Sequence, residues 1–193
     1  MKKIIVVLVL LLAQSLMAQI YLGLRDNRYA GIGYVFSDKY DLKIEQSMYP
    51  EKLGFQYVRL NASANFSLEN LMLNYKLYYG ILYNRNYYDV GGNFRIGYNF
   101  IKRLNVYTDV NPHYDSGYDY KINYGFGFKM KIYKGAGVVA GYSTIPEYRQ
   151  SEKRIRAGLI FEENTLSVSP IISLPAEKDL TTMRVLVSIN YVL

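Results

Sequence analysis

The chain has 193 residues, with 23 Lys and Arg against 16 Asp and Glu, 22 tyrosines, 8 phenylalanines, one histidine, and neither cysteine nor tryptophan. The missing cysteines exclude a disulfide framework, a thiolate metal site and a lipid-modified N-terminal cysteine. The positive charge is spread without a Lys/Arg run, which speaks against a nucleic-acid partner, and after the N-terminus no apolar stretch approaches the roughly eighteen residues of a transmembrane helix.

Residues 1–18, MKKIIVVLVLLLAQSLMA, place Lys2 and Lys3 before an apolar run from Ile4 to Ala13 and end on the small Ala18. A charged start, a short apolar run and a small residue are the parts of a secretory signal. Cleavage after Ala18 is expected, leaving one domain, 19–193, with 21 basic and 16 acidic residues.

Period-two runs then follow at 19–25, 28–37, 40–49, 54–66, 71–84, 88–101, 104–112, 118–133, 137–146, 152–162, 165–174 and 181–193. Successive strand side chains point to opposite faces. In 58–66, Val58, Leu60, Ala62, Ala64 and Phe66 oppose Arg59, Asn61, Ser63 and Asn65. In 120–132, an apolar face from Tyr120 to Ile132 opposes Lys121, Asn123, Gly125, Gly127, Lys129 and Lys131. These runs exceed the five or six residues usual in a soluble sandwich and suit the roughly nine to eleven of a membrane-spanning strand. A wet, glycine-bearing face makes a poor soluble core and a good barrel interior. A basic, tyrosine-bearing β-sandwich that binds sugars is the soluble alternative.

The connections alternate in length. SDK near 38, SLEN at 67–70, KR at 102–103, KGA at 134–136 and EN at 163–164 are short. PEKL at 50–53, RNY at 85–87, PHYDSG at 112–117, PEYRQS at 146–151 and PAEKDL at 175–180 are mostly longer and hold four of the five prolines. Short turns at one rim and long loops at the other describe an outer-membrane barrel, with the short turns periplasmic. Both termini fall at the periplasmic rim only if the strand number is even, which makes YLGLR at 21–25 strand one, turned by Asp26-Asn27. Three features favour ten strands instead: strand one is short, GVVAGYSTI at 137–145 alternates poorly, and Pro170 would require a bulge.

With its export signal, its strand pattern and its last strand, TMRVLVSINYVL, the chain resembles the small outer-membrane β-barrels of Gram-negative bacteria. Tyr191 holds the third-from-last place that such barrels give to an aromatic residue, and Leu193 stands where Phe or Trp is usual. The resemblance implies an antiparallel transmembrane barrel, embedded in outer-membrane lipid and inserted by the barrel-insertion machinery, and the runs set its expected strand number at twelve, with ten as the alternative.

Motifs for chemistry are sparse. His113 sits in VNPHYDSGYDY near Ser116, three apart across a proline-bearing stretch, which reads as a plain loop histidine rather than a base beside a nucleophile. Gly31–Gly33 and Gly125–Gly127 do not continue into a phosphate-binding loop, and the NAS and NFS tripeptides at 61–63 and 65–67 fall on an expected inward face. No cofactor is expected, and enzymatic activity is the least favoured reading.

The inward face carries the functional expectation. Lys43, Arg59, Lys76, Arg95, Lys121, Lys129, Lys131, Arg154, Arg156 and Arg184 share it with Asp41, Glu45, Asp89, Asp109 and Glu162, ten cations against five carboxylates. Inward Gly91, Gly97, Gly125, Gly127 and Gly158 are expected to leave room. A narrow positive lumen lowers the cost of admitting an anion, so the sequence reads as an anion-preferring pore for small solutes. The architecture resembles that of small twelve-stranded porins that pass acidic oligosaccharides. The alternative is a closed structural or surface-interaction barrel, its lumen filled by ion pairs and its tyrosine-bearing loops contacting a partner.

Overall fold

The computed structural model describes residues 19–37, 39–48, 56–83, 85–117, 119–147, 150–177 and 182–193. The expected signal at 1–18 lies outside them. Twelve strands form one closed antiparallel barrel: β1 (Gln19–Arg25), β2 (Tyr29–Ser37), β3 (Tyr40–Ser47), β4 (Tyr57–Leu68), β5 (Leu71–Leu82), β6 (Tyr87–Ile101), β7 (Leu104–Asp115), β8 (Asp119–Tyr133), β9 (Ala136–Glu147), β10 (Gln150–Glu163), β11 (Leu166–Pro175) and β12 (Arg184–Val192). Each strand pairs with the next, and β1 closes on β12 with Tyr21 opposite Val192 and Leu24 opposite Ile189. The ten-strand and soluble-sandwich alternatives are excluded.

Alternation decides which side faces in. On β8, Tyr120, Ile122, Tyr124 and Phe126 are exposed on the outer surface, while Asn123 between them is 1% exposed. Outward aromatics stand near both rims and also between them, where Phe66, Tyr75 and Phe94 touch in a row. Tyr79, Tyr88 and Tyr114 touch near one rim, and Tyr98 with Phe100 lies toward the other. From Tyr88 to Tyr98 along β6, ten residues at about 3.4 Å each, tilted about 40°, rise about 26 Å, which matches the roughly 25 Å apolar band of an outer-membrane barrel.

The connections at 38–39, 69–70, 102–103, 134–135 and 164–165 are all two residues long, as the short-turn rim requires. The opposite rim departs from expectation. Its links at 48–56 and 176–183 are long, but β7 runs on to Asp115 and β9 to Glu147, so 116–118 and 148–149 are short. His113 is therefore a strand residue, 6% exposed, and not a loop histidine.

Proline is absorbed without a bulge. On β11, the register with β10 is the same at Gly158 opposite Ile171 and at Phe161 opposite Val168, and the ladder lapses only between them, beside Pro170. A residue without an N–H omits its bond and the strand continues. Pro112 has the same effect between Gly91–His113 and Phe94–Val110.

Candidate functional site: the barrel lumen

The inner face encloses a cavity of about 350 Å³ whose wall includes Arg59, Lys76, Arg95, Arg154, Arg156 and Arg184, six of the ten expected cations. Three ion-paired clusters contribute Arg25, Arg59, Asp89, Arg154 and Arg184 to its wall. Glu45, fully buried, takes a two-pronged guanidinium from Arg25, at 3.0 and 2.8 Å, and the Lys43 ammonium at 3.0 Å. Asp89 accepts the Tyr57 hydroxyl at 2.6 Å and Arg59 Nη2 at 3.0 Å. Glu152 accepts both Arg154, at 3.2 Å, and Arg184, at 2.8 and 3.1 Å. Arg154 turns away from the cavity centre, donating to the Ser173 hydroxyl and to the Ser173 and Thr182 carbonyls.

The remaining expected cations divide. Arg95 grips Asp109 with two bonds, at 2.6 and 3.0 Å, and stacks over the Tyr107 ring. Lys129 bonds Glu162 at 2.6 Å. Lys121 stands opposite His113, and Lys131 lies beside the 134–135 turn opposite Gly137. Among the cavity-lining cations of the described residues, Lys76 and Arg156 are the two without an ion pair or hydrogen bond, and Arg156 Nε is buried with no acceptor.

One sequence expectation is corrected here. The inward glycines Gly91, Gly97 and Gly127 do not leave open room: the Tyr78 ring covers the first, Asn105 the second and the Tyr107 hydroxyl the third. Glycine permits this because a neighbouring ring can lie flat against a wall that carries no Cβ. His113 and Ser116 have separate partners. His113 Nδ1 contacts the Tyr78 hydroxyl at 2.5 Å, whereas Ser116 Oγ accepts the Tyr88 N–H at 3.0 Å.

Arg25, Asp115 and Glu152 were missing from the expected inner face, and so were the tyrosines Tyr21, Tyr57, Tyr78, Tyr87 and Tyr107. A parity signal existed for each. Arg25 follows Tyr21 and Gly23 in step, Glu152 precedes Arg154 in step, and Tyr57 and Tyr78 keep step with Arg59 and Lys76. Tyrosine's preference for membrane interfaces pulled the assignment outward, although a phenol with a carboxylate partner is equally at home inside: Tyr87 donates to Asp115 at 2.7 Å and Tyr21 to Asp41 at 3.0 Å.

No family model and no curated protein matches the sequence. Among solved structures, the KdgM porin superposes with a TM-score of 0.62 at 10% identity, over 91% of this chain and 98% of that one. The NanC porin superposes with a TM-score of 0.61 at 8% identity, over 91% and 100%. At such identities the likeness lies in the fold, and strand number, closure and near-complete mutual coverage agree: this chain has the fold of the small outer-membrane porins of Gram-negative bacteria.

Proposed function

We propose that the chain loses residues 1–18 on export, is placed in the outer membrane by the barrel-insertion machinery, and serves there as a narrow pore preferring small anionic solutes. The apolar, aromatic-rich outer surface supports the membrane setting. The observation that carries the solute preference is Arg156, a cavity-wall cation with neither ion pair nor hydrogen bond; Lys76 on the same wall also forms no ion pair, but Glu45 lies near enough to offset part of its charge. The other lining guanidinium groups at Arg25, Arg59, Arg95, Arg154 and Arg184 are answered by carboxylates. A fixed, unanswered charge in a narrow lumen with low-dielectric walls lowers the barrier for counter-ions and raises it for co-ions.

The test is conductance of the purified protein in a planar bilayer, with the reversal potential read under a salt gradient. A discrete conductance with anions favoured supports the pore. The dense clusters at Glu45, Asp89 and Glu152 favour a second reading, a closed barrel whose ion pairs are structural. That barrel would insert into the bilayer and pass no current.

A further inference from the structure

Four buried side-chain polar atoms among the described residues lack a hydrogen-bond partner, and three of them share one stretch of wall: Asn123 Nδ2 on β8, Ser143 Oγ on β9 and Arg156 Nε on β10. Buried donors are almost always satisfied, so three orphans on adjacent strands call for an acceptor from outside the chain. The register shows how they meet. Ser143 stands opposite Gly125 and Arg154, while Gly141 stands opposite Gly127 and Arg156. Ser143 is thus the diagonal neighbour of Asn123 on one side and of Arg156 on the other, about 7 Å away in each case.

The wall between them carries no side chain of its own, although the Tyr107 hydroxyl lies over Gly127. Gly125, Gly127 and Gly141 carry no side chain, and the atoms closest to a Cβ built on Gly141 are backbone atoms of Phe126 and Gly127. Arg154, which could have filled the space beside Ser143, commits its guanidinium to Ser173, Glu152 and Thr182 instead. Ser143 and Arg156 both border the cavity, and so does Asn111, which pairs with Asn123.

We infer that this glycine-floored recess on β8–β10 is an oxyanion-binding subsite of the lumen, in which Arg156 Nε and Ser143 Oγ donate to one anion and Asn123 adds a donor one step toward the long-loop rim. Asn123 is 1% exposed, so its free donor cannot be turned to bulk water at no cost. Arg156 Nε has only a hydrogen to offer, and Arg156 has no carboxylate partner, so the complement must be both acceptor and anion. A group with several oxygens, such as a carboxylate, sulfate or phosphate, spans diagonal neighbours where a monatomic chloride reaches one donor at a time.

This inference deepens the pore reading by assigning it a seat, and it rests on that reading only for its role in passage. The experiment uses sulfate as the probe. Sulfate binding to the detergent-solubilised protein is measured by calorimetry, and its block of chloride current in a planar bilayer is measured in parallel, for the wild type, Arg156→Lys and Ser143→Ala. Folding of each variant is checked by the gel-mobility change on boiling. Arg156→Lys keeps a charge but loses the fork and should weaken sulfate about tenfold, and Ser143→Ala should weaken it about threefold. Weakening in both variants supports the recess, and it does so by calorimetry even if no current flows, in which case only the pore reading fails. Equal sulfate binding by all three proteins, or binding by none, overturns it.

Discussion

Asn27 and Val187 are joined by two hydrogen bonds, from the Asn27 N–H to the Val187 carbonyl and from the Val187 N–H to the Asn27 side-chain oxygen, each 3.0 Å long. The Asn27 amide also donates to the Val185 carbonyl at 3.1 Å. β1 stops at Arg25, short of the height of β12, and the turn residue imitates the missing strand so that the seam stays closed. Asn27 does this at a φ of 57°, a left-handed conformation that asparagine tolerates. Asn27→Gly keeps the backbone freedom and loses two side-chain bonds, which should cost about 1–2 kcal/mol. Asn27→Ala adds backbone strain and should cost more. The order wild type, Gly, Ala in the temperature at which the folded band disappears on a gel checks this, and three equal temperatures would count against it.

Glu152 is 3% exposed and answers two guanidinium groups, one of which, Arg154, is 1% exposed. Glu152→Gln leaves a buried charge unanswered and should destabilise the barrel by about 3 kcal/mol, since breaking one side of a buried pair costs more than forming the pair gains. Denaturant unfolding in detergent, followed by circular dichroism, measures the loss. A midpoint unchanged from the wild type would mean that Ser173 and Thr182 suffice to hold Arg154.

A Cβ at Gly33 would overlap the Tyr21 ring, and the three atoms nearest to it all belong to Tyr21. Gly33→Ala should therefore lift Tyr21 from the wall and break its bond to Asp41, lowering stability by about 1–3 kcal/mol as overpacking does. Adding Tyr21→Ser should recover most of that loss. Two losses that simply add would show that the positions do not interact.

The architecture was legible because a membrane barrel writes its period-two pattern over long strands: 120–132 alternates without a fault, and the two-residue turns mark one rim. The strand ends were less legible. At 112–117, Pro, Asp, Ser and Gly look like a loop, yet β7 runs on to Asp115 because a proline can omit one ladder bond without a turn. Parity alone pointed to the six cations that border the cavity. It did not reveal the ion pairs, since Arg95 with Asp109 and Lys129 with Glu162 pair across neighbouring or distant strands in ways set by side-chain reach. Glycine misled in the same manner: a missing side chain shows that space was needed, and not whether a tyrosine from the next strand already fills it.

The two rims assign orientation. With the two-residue turns in the periplasm, single cysteines replacing Arg85 or Glu177 should react with an impermeant reagent on intact cells, whereas cysteines replacing Arg103 or Lys134 should react only after lysis. Labelling at 134 with protection at 85 would invert the barrel.

Lys76 and Arg156 are the points at which the anion preference can be removed without deleting a member of an ion pair. Replacing both by Glu turns two cavity-wall cations that take part in no ion pair into carboxylates, so no ion-pair partner is removed. The reversal potential of the Lys76→Glu/Arg156→Glu channel, measured in a planar bilayer under a salt gradient against the wild type, is the most direct measurement. An anion-selective wild type whose reversal potential moves toward the cation side in the double variant is the predicted result. An open, folded channel with the same reversal potential in both proteins would contradict the assignment of these two cations to the conducting path.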